Sequence, residues 1–286
     1  MRGVRLEVCV DKAALVPDRS RRCAIAIMAK APSAGRTKTR LSPLLSPEEA
    51  KDLGCCFLKD MTRDLASAAR EVALDAYIAF APAGSEAAFG SIVEGGTGFV
   101  LADGNAPAPA GVEGFGRCLL QAARSLFEIG YGAIGLLNSD SPTLPTALLV
   151  RAARLLLEAE DKVVLGASTD GGYYLLGMKA PHADLFRNID WSTEHVARQT
   201  RRRADEIGLK LVDLDTWYDV DDAASLRHLI EDIDSGSRVS ADPSRYPAPA
   251  TAAWLRRNRI RQRLAGGGES HAVSARESVQ RAGSRT

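Results

Sequence analysis

Short apolar runs, each about the length of one strand, recur along this chain and alternate with stretches whose apolar residues repeat at helical spacing. Ala24–Ala29, Leu74–Phe80, Ala133–Asn138 and Lys162–Ala167 are such runs. A parallel strand buried on both faces reads as continuous rather than alternating hydrophobicity. After the first run, Ser46-Pro47-Glu48-Glu49 forms a capping box with proline at the first helical position. Ala50, Leu53, Phe57, Met61 and Leu65 then continue one apolar stripe through about Arg70. Helical patterns follow over Phe115–Ile129 and Pro145–Glu160, from near Ser192, and from Asp222 to Ile233. Further strands are predicted at Phe99–Leu101, Tyr173–Met178 and Leu209–Leu214, and the Gly/Ala/Pro-rich segment Gly104–Gly114 reads as a mobile loop. Such alternation predicts the α/β class, with a single doubly wound, mostly parallel sheet.

The chain has 286 residues, 45% hydrophobic and 26% charged, which suits one large α/β domain with appendages. Its predicted division is an N-terminal extension (1–22), the α/β domain (23–235), a closing segment with a basic helix (236–265) and a disordered tail (266–286). No apolar run reaches the roughly 18 to 20 residues of a membrane span. The N-terminal stretch is broken by Glu7, Asp11 and Lys12, so a cytoplasmic protein is expected. Net charge is +1, yet residues 236–286 hold ten arginines against three acids (Asp242, Glu269, Glu277), so the rest of the chain is acidic. An acidic body is not a nucleic-acid surface. The five cysteines show no CxxC spacing and the four histidines never pair at ligand spacing, which argues against a disulfide framework or a histidine-held metal.

In an open parallel sheet, ligands bind beyond the carboxyl ends of the strands, and three polar clusters fall there. The first is the loop AKAPSAGRTKTRL. Gly35 permits close backbone approach, and Arg36, Lys38, Thr39 and Arg40 can donate to phosphate oxygens; a solvated basic loop is the plainer alternative. The second is Asn138-Ser139-Asp140-Ser141-Pro142, where Asp140 either caps the next helix or holds Mg²⁺. The third is Tyr218-Asp219-Val220-Asp221-Asp222. Asp222 suits a helix N-cap, while Asp219 and Asp221 are metal candidates. Trp191-Ser192-Thr193 opens a helix with Ser192 or Thr193 as cap, or contacts an acceptor through Trp191. Tyr173 and Tyr174 point to opposite faces of one strand, so at most one faces the crevice. The basic helix Trp254–Leu264 either docks on the body or touches anionic lipid as a peripheral contact.

With those residues in view, the chain resembles the nucleotide-diphospho-sugar transferase (GT-A) superfamily. Within it, the pattern is similar to a bacterial glycosyltransferase family that occurs beside radical-SAM/selenodomain proteins and is of arsenosugar-biosynthesis type. The carrying motifs are AKAPSAGRTKTRL, SDSP, TDGGYYLLG, IDWST and DVDDAASL, in order over residues 24 to 235, with PAPATAAWL resembling the closing helix. KTRL also resembles the first loop of guanylyltransferases of deazaflavin-cofactor assembly, and DVD segments recur in cytidylyltransferases. The resemblance implies that Gly35, Arg36, Lys38, Thr39 and Arg40 hold nucleotide phosphates, and that Asp140, with Asp221 and Asp219, binds Mg²⁺ or Mn²⁺. Asp170 and Lys38 would be catalytic, and Gly171, Gly172, Tyr173 and Trp191 would line the substrate side. Thr169 stands where the family pattern has Glu, which removes one candidate base. The expected activity is glycosyl transfer from a nucleoside diphosphate sugar to a small-molecule acceptor. Nucleotidyl transfer from an NTP to a phosphorylated small molecule is the second expectation, and an inactive nucleotide-binding regulatory protein the third.

Overall fold

The computed structural model describes residues 18–42, 44–238 and 245–264. The tail beyond 266 and most of the N-terminal extension therefore lie outside the described residues.

The strands are β1 (Cys23–Lys30), β2 (Leu74–Ala81), β3 (Gly98–Leu101), β4 (Ala133–Leu137), β5 (Lys162–Ser168), β6 (Tyr173–Met178) and β7 (Lys210–Trp217). They form one sheet in the order β3-β2-β1-β4-β6-β5-β7. β6 alone runs antiparallel to its neighbours, because it returns from β5 through the short turn Thr169–Gly172. The helices are α1 (Pro47–Ala68), α2 (Phe115–Glu128), α3 (Thr146–Leu157), α4 (Val196–Glu206), α5 (Ala223–Arg238) and α6 (Pro249–Arg257). This is the predicted single α/β domain with a mostly parallel sheet.

The unbroken apolar run of β1 has a direct physical reading. Cys23, Ile25, Ile27 and Ala29 enter the core beneath α1 and α3, while Ala24 and Ala26 enter the core beneath α2. Neither face meets water, so neither face is polar. A third cluster joins Leu53 and Phe57 of α1 to Leu226 and Leu229 of α5 and Trp254 and Leu255 of α6. The predicted capping box at Ser46 and Glu49 is formed in both directions, and Asp222 caps α5 by accepting the N–H groups of Ala224 and Ser225.

Three local expectations change. Residues 104–114 are not a free loop: Arg117 donates to the carbonyls of Gly104 and Ala106, Arg124 to that of Pro107, and the Gly104 N–H reaches Gln121. α4 begins at Val196 rather than near Ser192, whose φ of 64° is left-handed. The Thr193 hydroxyl instead binds within the preceding turn, to the Asp190 carbonyl and the His195 N–H. β7 runs on to Trp217, since an edge strand tolerates the exposed Asp215 that ended the apolar pattern. Of the two placements expected for the basic helix, docking holds: Trp254 and Leu255 are buried against α1 and α5.

Candidate active site

Two loops are stitched together at the carboxyl edge of the sheet. The loop after β4 (residues 138–145) meets the loop after β7 (218–222) through three bonds. The Val220 N–H donates to the Asp140 carbonyl at 2.9 Å, and the Ser141 hydroxyl donates to the Tyr218 carbonyl at 2.9 Å. Thr143 Oγ1 lies 2.8 Å from the Tyr218 hydroxyl, which in turn donates to the buried Asp232 at 2.7 Å. Asp140 and Asp221 are thereby fixed relative to each other, although 81 positions apart in the chain. Asp140 is not the cap of α3, which has Pro145 at that position.

The loop after β1 closes over this junction. Ser33 and Thr37 bond reciprocally across its turn, and Gly54 of α1 leaves the space that Thr37 occupies: a Cβ there would lie 2.8 Å from Thr37 Cγ2. Lys38 adopts a left-handed backbone, with φ 51°, and sends its side chain inward. Its ammonium lies 2.5 Å from Asp140 Oδ1, 2.6 Å from the Val220 carbonyl and 3.7 Å from Asp221, above the Phe57 ring. Lys38 is thus the inner cation of the loop. Arg40 is exposed and reaches Asp221 at 3.8 Å, while Arg36 is exposed.

Two open cavities meet at this junction. The first, about 320 Å³, is lined by Lys30, Arg36 and Lys38 together with the small side chains of Ala79, Ala81 and Ala102. The second, about 490 Å³, is lined by Arg40, Asp170, Tyr173, Trp191, Glu194 and Asp219. Met28, Phe115, Ser139, Asp140 and Asp221 line both. Charge is divided between them: cations surround the first, and carboxylates dominate the second. Burial raises the Asp219 carboxyl to about 6, with the negative charges of Asp170, Asp221 and Asp140 adding to it. Asp221 is raised as well, first by burial and then by Asp140, while Lys38 and Arg40 oppose the shift.

Each predicted site residue has a definite place. Arg36 and Lys38 line the first cavity, and Lys38, Arg40, Asp140, Asp219 and Asp221 gather at the junction. Asp170, Gly172, Tyr173 and Trp191 line the second cavity. Gly35, Thr39 and Gly171 line neither. Gly35 supplies a left-handed turn at φ 74° and Thr39 begins a 3₁₀ turn. Gly171, at φ 90°, lets the chain at Glu194 pass so close that a Cβ would lie 2.2 Å from that carbonyl. Asp170 accepts the Gly172 N–H at 2.9 Å, which sets the turn between β5 and β6. Of the two tyrosines, Tyr174 is buried and donates to the Asp215 carbonyl, so Tyr173 is the one on the crevice.

Sequence reasoning missed the partner of Trp191. The Phe115 ring stands edge-on to it with centroids 5.7 Å apart, and Phe115 is 45% exposed where the cavities join. Its place at a helix start after Gly114 identified it only as a helix residue. An aromatic platform needs both segments, 76 positions apart, in view. Among the described residues, no three acidic, histidine or cysteine side chains stand close enough to form a metal cage from protein alone. No helix among them is long and apolar enough to cross a membrane.

The model of the family described as "Uncharacterized protein conserved in bacteria (DUF2064)" matches residues 44–193, just over half of the chain. A crystal structure from Desulfovibrio desulfuricans G20, described as a "putative nucleotide-diphospho-sugar transferase", is similar with a TM-score of 0.67 and 27% identity, covering 84% of this chain and 97% of that one. The 3-phospho-D-glycerate guanylyltransferase of Phenylobacterium zucineum (strain HLK1) is 47% identical over 74 residues. That match spans 26% of this chain and only 33% of the relative's length.

Proposed function

The chain belongs to the DUF2064 family, and we propose that it is a nucleotide-dependent transferase that moves a glycosyl group from a nucleoside diphosphate sugar to a small-molecule acceptor. One observation carries this reading: a cation-lined cavity and an acid-lined, aromatic-walled cavity share Lys38's partners Asp140 and Asp221 as their common wall. The first suits a nucleotide, whose phosphates would lie against Arg36 and Lys38. The second suits a sugar and a hydroxyl acceptor, because carboxylates accept hydrogen bonds from hydroxyls and aromatic faces pack against a pyranose. A phosphorylated acid fits it less well, since Arg40 is its one lining cation against Asp140, Asp170, Glu194, Asp219 and Asp221.

A divalent ion, Mg²⁺ or Mn²⁺, belongs to this reading. Asp140 and Asp221 converge on the point that the Lys38 ammonium occupies. One or two carboxylates are what Mg²⁺ takes when phosphates and water complete its shell. The residues therefore fit an ion that arrives with nucleotide, with Asp219 beside the pair. Such an ion would supply Lewis-acid stabilisation of charge on the phosphates. The chain's own contribution is electrostatic: Lys38, Arg36 and Arg40 hold negative charge on the departing diphosphate, the effect that usually lowers such barriers most. Asp170 would take the acceptor proton, assisted by Asp219, whose value of about 6 keeps it basic at neutral pH. Trp191, Tyr173 and Phe115 would position the sugar and exclude water around it.

Nucleotidyl transfer to a phosphorylated small acid is the second reading, favoured by the 74-residue match to a guanylyltransferase. One experiment separates the two. Incubation with UDP- and GDP-sugars and Mn²⁺ should slowly release free nucleoside diphosphate, with water in the acceptor's place. Pyrophosphate from GTP or CTP plus 3-phosphoglycerate, with sugar nucleotides inert, would establish the second reading instead. Turnover of neither donor class would leave a nucleotide-binding regulatory protein.

A further inference from the structure

The Lys38 side chain is only 4% exposed, yet it ends in a full charge. A buried ammonium is tolerated only where partners replace its water. Its hydrogen-bond and ionic partners are all oxygens: Asp140 Oδ1 at 2.5 Å, the Val220 carbonyl at 2.6 Å and Asp221 at 3.7 Å. An all-oxygen set with two carboxylates is also what a hard divalent cation selects. We infer that Lys38 occupies the divalent-cation position of the ligand-free protein, so that a metal ion enters at Asp140 only as nucleotide phosphates draw the lysine away. This inference rests on the reading of the first cavity as the phosphate site.

The charge balance requires the exchange. Lys38 and Arg40 against Asp140, Asp219 and Asp221 leave a single negative charge at the junction. A divalent ion added beside Lys38 would set four positive charges against three negative ones, with like charges in contact. Once Lys38 has withdrawn, three charges of each sign remain. The lysine also lines the first cavity, so phosphate oxygens bound there offer it a second anionic partner within reach of its own chain. The Val220 N–H ties that loop to the Asp140 carbonyl, so the two backbones stay fixed and the carboxylates have little room to admit both cations. Metal and nucleotide must therefore bind with positive coupling, and by linkage each strengthens the other by the same factor. Lys38 acts here as a positioning residue that makes metal entry conditional on nucleotide.

Mn²⁺ titration of the full chain without nucleotide, read by electron paramagnetic resonance, tests this directly. Lys38→Met should bind Mn²⁺ at least tenfold more tightly than the unaltered protein, about 1.4 kcal/mol. Lys38→Arg, which keeps the charge, should bind it no more tightly. Equal or weaker binding by a folded Lys38→Met protein overturns the inference. If circular dichroism shows that this variant does not fold, the unaltered protein decides: its Mn²⁺ affinity must rise at least tenfold with saturating GDP or UDP, beyond that of the nucleotide alone. No rise overturns the inference. A protein whose Lys38→Met form gains Mn²⁺ affinity, yet which transfers from no sugar nucleotide, keeps the inference and loses the glycosyl reading.

Discussion

The buried carboxylate of Asp60, in the middle of α1, accepts the backbone N–H of Thr251 at 2.7 Å and so caps the first turn of a helix 191 positions away. Its other oxygen accepts the Ala250 N–H at 2.9 Å. α6 has no cap of its own, since Ala248 precedes it with a left-handed backbone and no side-chain acceptor. Asp60→Ala should therefore cost on the order of 1 to 3 kcal/mol, the loss of a buried acceptor for two helix N–H groups. Thermal melting should show a drop of several degrees. An unchanged melting temperature would mean that α6 is held by Trp254 and Leu255 alone.

Asp64, one helical turn further along α1, gives a pH dependence. Burial raises its carboxyl to about 7, the charge of Asp60 adds, and the Thr146 hydroxyl bonded to it opposes. An acid raised in the fold binds more protons folded than unfolded between its two values. Stability therefore falls as pH rises from about 4 towards 7 and levels off above. Asp64→Asn should reduce that slope, most clearly between about pH 6 and 7, above the range of Asp219. Melting curves of both proteins across this range measure it, and parallel slopes would dismiss Asp64 as the source.

Asp140→Asn should lower turnover by a factor on the order of 10² to 10³, as removal of a principal electrostatic contact does. It should also leave the Lys38 ammonium short of its nearest anion, so a modest loss of stability is expected beside the loss of activity. Steady-state kinetics with and without Mn²⁺, alongside melting, separate the two. Near-normal, equally metal-dependent turnover would remove Asp140 from the site.

Trp191→Ala should weaken binding of a nucleotide sugar while leaving the corresponding nucleoside diphosphate nearly unaffected, because Trp191 lines only the second cavity. Aromatic contacts of this kind contribute about 0.5 to 1.5 kcal/mol beyond area burial, so a several-fold change is expected. Calorimetry with UDP and a UDP-sugar tests it. Equal weakening of both ligands would place the sugar elsewhere.

Arg40→Ala is expected to raise Asp221 little, since the guanidinium is 72% exposed and water screens it. Under the glycosyl reading it should nonetheless slow nucleoside diphosphate release at least tenfold, about 1.4 kcal/mol of barrier. An unchanged rate would return Arg40 to the solvated surface.

The sheet class is legible in local sequence, because burial on both faces leaves continuous apolar runs such as Ala24–Ala29, and no polar residue can be spared there. So are the caps at Ser46 and Asp222, which are satisfied by neighbours a few positions away. The loops bearing Asp140 and Asp221 were legible for the same reason: strand ends are local, and a parallel sheet puts such ends on one edge. Where each charge points depends on packing instead. Thirteen positions after Ile25, Lys38 is one cation among four in its loop by sequence, and it becomes the inner one only because its left-handed backbone turns it over Phe57 towards Asp140. The mobile-looking segment 104–114 was held by Arg117 and Arg124 of α2, whose reach depends on where that helix lies. Contacts between residues close in the chain follow from composition and spacing. A charge's partner across the sheet is selected by packing, which no local pattern encodes.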